Sequence, residues 1–140
     1  MELWIIYALL AAFFAGLVAI FGKIGIQNVD TTLATAVRAI VMASFLVTVA
    51  LSLGKAKLIT TLDGKTLSFI VLSGVAGALS WLFYFIALKS GPATAVASLD
   101  RLSVVFVVIL AVLFLGESLT WKSGLGVMLL TTGAILMTFK

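Results

Sequence analysis

Three ionisable side chains lie deep inside apolar runs: Arg38, Asp100 and Arg101. Each costs about 2.5–3.5 kcal/mol to place inside a membrane span on insertion scales, so charges at such depth are functional by default. The sequence has no His and no Cys. That removes imidazole acid–base work, thiolate nucleophiles, disulfides and thiolate metal sites. Asp100 is the sole deep acid, so no pair of carboxylates can be assembled, and no phosphate-cradling loop or ion-filter motif is present. The chemistry left is recognition of charge. A carboxylate can take up and release a proton or cation, and a guanidinium can hold an anion. Ser80 and Ser103 add hydroxyls, and Trp81 and Tyr84 add aromatic faces. No enzyme activity, metal or cofactor is expected from this set.

These residues must be positioned by elements that live in lipid. The chain of 140 residues is 64% hydrophobic and 10% charged, with mean hydropathy +1.35, against about half apolar and a quarter charged in soluble domains. One core of this size cannot hide so much apolar surface. A spanning helix needs roughly 20 mostly apolar residues, and five stretches qualify, at about 3–21, 31–53, 67–88, 93–115 and 119–139. The expected architecture is an all-α integral membrane protein of five transmembrane helices, packed as a single domain over 1–140. The runs are too long for strands and lack the alternation of a β-barrel. Asp30 and Thr31 suit a helix start, Gly91 can close a helix and Pro92 can open the next. Only Glu2 precedes the first run, so the positive region of a signal peptide is missing and this run is expected to be retained as a span. No basic stripe suggests nucleic acid; lysines near the ends of the runs can reach lipid head groups.

Depth counting brings the chemistry together. Arg38 is seven residues after Thr31, and Asp100 is seven after Ala93. With five spans the second and fourth helices start from one side, so both charges lie roughly 10 Å in from it. They are expected to meet as an interhelical ion pair, serving either a ligand or only helix register. Arg101 is about 100° further round the helix than Asp100, and either shares the site or reaches for the near head groups. The third helix ends on the same side, with Ser80, Trp81 and Tyr84 at that depth; Lys23 and Lys89 are expected to be interface anchors. The two aromatics line a cavity or form an ordinary interfacial belt. Ser80 and Ser103 bond either a ligand or their own backbone.

Helices in lipid approach closely where residues are small. Gly126 and Gly133 are seven apart, hence on one face of the last helix, and are expected to seat against a second copy of the chain; packing within the bundle is the other reading. Five spans put Lys55, Lys57, Lys65 and Lys122 on one side and Lys23, Lys89 and Lys140 on the other. This near-balance permits insertion in one or both orientations.

The stretch SGPATAVASLDRLSVVFVVILAVLFLGESLTWKSGLGVMLLTTGAIL, Ser90–Leu136, resembles the EamA-type domain of the drug/metabolite transporter superfamily, in its five-span bacterial and archaeal branch. The resemblance rests on Gly91-Pro92-Ala93, LFLGESLT at Leu113–Thr120, the G-x-x-L-L-x-x-G run from Gly126 to Gly133, and SWLFYFIALKSGPA at Ser80–Ala93. Many ten-span members carry Pro where this chain has Ser103, and the charged Asp100-Arg101 pair departs from their usual uncharged stretch. The resemblance implies one half of an inverted-repeat transporter, working by alternating access as a homodimer, and here one that could be antiparallel. It further implies a prokaryotic inner-membrane location and a small polar or amphipathic substrate moved in a proton- or ion-coupled or exchange mode. The competing reading is a non-transporting membrane subunit whose charges only fix helix register.

Overall fold

A computed structural model describes residues 2–139; Lys140, expected at the water edge, lies outside the described residues. The order of elements is α1 (Leu3–Gly25), α2 (Thr31–Ser52), a 3-10 helix (Lys55–Thr61), α3 (Gly64–Ser90), α4 (Ala93–Asp100), α5 (Ser103–Leu110), a π-helical turn (Ala111–Leu115) and α6 (Trp121–Thr138). No strand occurs among the described residues. The all-helical expectation therefore holds.

Four segments are long and apolar enough to cross a membrane: Leu3–Gly25, Thr31–Ser52, Gly64–Ser90 and Ala93–Leu115. This corrects the expected five. The last segment, α6, has 18 residues, but Lys122, three glycines (Gly124, Gly126, Gly133) and Thr131 and Thr132 dilute its apolarity.

Local chemistry explains the boundaries. Asp30 caps α2, its carboxylate accepting from the Leu33 N–H at 2.9 Å. Asp63 does the same for α3, accepting from the Thr66 N–H; hydrogen bonding by Thr66 lowers the Asp63 pKa from its ordinary value. Thr120 caps α6 through the Ser123 N–H. Pro92, with φ −61 and ψ 138, stands just outside α4 as its N-cap. The left-handed glycines are Gly54 and Gly116, both at φ 66. Gly91 follows α3 without adopting that conformation.

The fourth span is not one uninterrupted α-helix. Around Arg101 and Leu102 the N–H groups of Arg101, Leu102, Val104 and Val105 each donate three residues back, at 2.9–3.2 Å. This is 3-10 winding in the middle of a span. The same span ends in the π-helical turn, where Gly116 and Glu117 both donate to the carbonyl of Ala111.

The chain divides into two compact units. The first holds residues up to Lys23 and those from Ser90 onward; the second is Ile24–Lys89. In the first, α4 and α6 make the main helix contact, with Ala95, Ser98 and Ala134 buried. Lys23 there donates to the Gly91 carbonyl at 2.9 Å. In the second, Ile26, Phe85 and Leu88 are buried, and Lys89 donates to the Val29 carbonyl at 2.7 Å. Both lysines thus tie helix ends to turns. Elsewhere large apolar side chains face outward, Phe114 being 80% exposed and Leu129 73%. In lipid such exposure carries no hydrophobic penalty.

Candidate functional site

Each unit holds one charged centre. In the second unit, α2 presents Arg38 and α3 presents Trp81, Tyr84 and Phe85. The guanidinium carbon of Arg38 lies 3.6 Å from the centroid of the Trp81 ring and 5.6 Å from that of Phe85. A cation over an indole face is held by the ring quadrupole, most strongly where water is excluded. Residues 81, 84 and 85 share one helix face, and their rings pack edge-on: Trp81–Tyr84 centroids are 5.4 Å apart, Tyr84–Phe85 6.2 Å. Phe85 is buried, whereas Trp81, Tyr84 and Arg38 are half-buried. Ser80 is exposed beside them on α3.

In the first unit the carboxylate of Asp100 and the guanidinium of Arg101 are 3.9 Å apart, with side chains 36% and 50% exposed. The two residues stand at the end of α4, where the 3-10 winding begins. Tighter winding brings neighbouring side chains to new angles, and here two adjacent opposite charges form a local pair. Arg101 also lines a groove of about 510 Å³ between α4 and α6, together with Thr94, Ala97 and Gly133. A second groove, about 470 Å³, runs between α1 and α4 past Gly16, Thr94 and Ala97. A third, of about 590 Å³ between α5 and α6, has no ionisable side chain in its lining. Ser103 opens α5 and is exposed. Ser98 is buried on α4 and donates to the Ala95 carbonyl at 2.9 Å.

Arg38 and Trp81, expected at one depth, meet in the second unit; Asp100 and Arg101 meet in the first. Arg38 and Asp100 belong to different units, and their pairing stands as a proposal. Phe85 was not anticipated as a neighbour of Arg38, although its i,i+4 spacing from Trp81 carries the signal. Gly126 is exposed on α6, and Gly133 faces the α4–α6 groove. A Cβ added at either glycine would meet nothing within 4 Å, so the chain's own packing does not require glycine there.

Several apolar helices, two of them carrying charges well inside, define a multi-pass membrane protein. The chain belongs to the EamA-like transporter family, whose model matches residues 2–139. It is 42% identical over 134 residues to a Sinorhizobium protein described as "Uncharacterized transporter in cobO 3'region", covering 96% of this chain and 95% of that one. An uncharacterised protein of Methanocaldococcus jannaschii is 33% identical over 86 residues, covering 61% of this chain and 63% of its own. No solved structure matches.

Proposed function

We propose that this membrane transporter is a secondary transporter, moving a small polar or amphipathic metabolite by alternating access as a homodimer in a prokaryotic inner membrane. Asp100 is the proton- or ion-responsive group, with the Arg101 guanidinium 3.9 Å from its carboxylate. Arg38 pairs with Asp100 in the empty state or holds an anionic group of the substrate. Trp81 and Tyr84 line the cavity, with Ser80 and Ser103 as hydroxyl donors. The observation that carries this reading is the Asp100–Arg101 pair, part-exposed inside a span beside an apolar groove. Charges kept inside a span at that cost suit a site that must open and change charge state. The homodimer draws support from Gly126 and Gly133, seven apart and hence on one face of α6, where small residues let a second helix approach closely.

Flux in proteoliposomes with Asp100→Asn tests the central claim. Coupled transport should fall by at least tenfold, and unchanged coupled transport would sink the role of Asp100. Tagging both termini and mapping their exposure in cells tests orientation; a single orientation removes the antiparallel dimer. The local Asp100–Arg101 pairing is also what a purely structural pair would show. Purification in mild detergent separates the two readings: a co-purifying partner protein favours the non-transporting subunit, and a homodimer stabilised by ligand favours transport.

A further inference from the structure

We infer that the Arg38–Trp81 centre binds an organic anion, a carboxylate or sulfonate carried on an apolar body; this rests on the transport reading and names its substrate class. The argument begins with what Arg38 lacks. A guanidinium carries five N–H donors in a planar fork. Within its unit Arg38 touches the rings of Trp81 and Phe85, and no hydrogen-bond acceptor among the described residues of that unit takes its protons. Stacking on a ring uses the positive charge but leaves the fork unfilled, because the donors point outward in the guanidinium plane.

The unit offers no internal counter-ion either. Its two acids are Asp30 and Asp63. Asp30 accepts from Leu33 at the start of α2, and Asp63 from Thr66 at the start of α3. Both are committed to helix ends, while Arg38 stands two turns inside α2. The lysines nearest the turns are committed as well, Lys89 to the Val29 carbonyl. The span therefore holds one positive charge, half-buried and aimed past an aromatic surface.

The surroundings set the shape of the missing group. A carboxylate or sulfonate pairs with the fork through two charge-assisted hydrogen bonds. The atoms behind it would lie against the half-buried rings of Trp81 and Tyr84, where apolar matter is favoured and a strongly hydrated ion such as free phosphate is not. An amine in place of the acid would face Arg38 with like charge.

The test uses the 140-residue chain in detergent, with Trp4→Phe and Trp121→Phe leaving Trp81 as its one indole. Its fluorescence is titrated with benzenesulfonate, benzoate, benzamide and benzylamine, matched in their apolar body and differing in charge. Benzenesulfonate and benzoate should bind saturably and at least about tenfold more tightly than benzamide, as expected for charge-assisted hydrogen bonds. Arg38→Gln should remove that preference, and Arg38→Lys should retain part of it. Equal binding of benzamide, preference for benzylamine, or an unchanged preference in Arg38→Gln would overturn the assignment. Flux of benzenesulfonate, which stays ionised and does not leak through lipid as a neutral acid, is measured in parallel. Selective binding without flux upholds the anion site and defeats the transport reading. Flux that ignores the charge of the probe defeats the anion site and leaves transport standing.

Discussion

The two units bury different kinds of side chain and settle their charges differently. The unit holding α4–α6 buries small residues: Ala19, Ala95, Ser98, Ala111 and Ala134. The unit holding α2 and α3 buries Ile26, Phe85 and Leu88. Small residues let backbones come close, which suits helix contacts driven by dispersion in lipid. Large ones fill a wider gap. The charges follow the same division. Where backbones are close, the carboxylate of Asp100 and the guanidinium of Arg101 lie 3.9 Å apart on adjacent residues. Where rings are available, Arg38 lies on an indole and keeps its donors for something else. Close packing thus goes with two opposite charges side by side, and aromatic packing with a lone guanidinium stacked on a ring.

Substitution can break this contrast. The largest effect is expected at Leu88, which is 0% exposed. Leu88→Ala should destabilise the α2–α3 unit towards the lower end of ~2–5 kcal/mol, since lipid and not water is the alternative environment. Unfolding in a fixed detergent measures it; an unchanged midpoint would mean that the large residues of this unit are not its core. Ala134→Leu makes the opposite test, adding bulk where α6 packs on α4. Overpacking should cost ~1–3 kcal/mol, and a stabilised variant would show slack where close approach is inferred.

Gly126→Ala sharpens the contrast from outside the core. The added methyl meets nothing in its own chain, so folding stability should hold or rise by up to about 1 kcal/mol. Self-association, followed by crosslinking or sedimentation in detergent, should weaken if this face seats a second copy. Intact self-association together with unchanged stability would remove α6 from the interface.

The smallest effect concerns pH at Asp63. Its carboxylate is held below its ordinary pKa by Thr66. A depressed acid contributes stability that is complete above its unfolded pKa and is lost as pH falls through the folded value. The Thr66 amide shift should therefore titrate below the ordinary carboxylate range, and Asp63→Asn should abolish that titration while keeping the cap. A midpoint at or above the ordinary value would show that the hydrogen bond does not hold in lipid or detergent.

Much of the architecture was legible because lipid imposes simple rules. Continuous apolarity marked the helices, and Asp30 announced the start of α2 through a cap that the structure shows. The fifth span misled because length and apolarity part company in α6: Lys122 and the glycines lower hydropathy without shortening the helix. The winding change at Arg101–Leu102 could not be read, since neither residue is Gly or Pro and both keep right-handed backbone angles. Depth counting placed Arg38, Asp100, Trp81 and Tyr84 in one layer. It could not choose which charge takes which neighbour, because that depends on rotation about each helix axis, and the 3-10 turn resets rotation for all residues after it.

That reset acts as a phase shift. A 3-10 turn advances about 20° more per residue than an α-helix, and the π-helical turn before Gly116 winds more loosely than either. The span is overwound beside its charges and underwound at its far end. The small face of α4 and the valine-rich face of α5 are therefore set out of step with each other. One apolar segment can thereby offer α6 two differently angled surfaces along its length, which no straight helix of the same sequence would present.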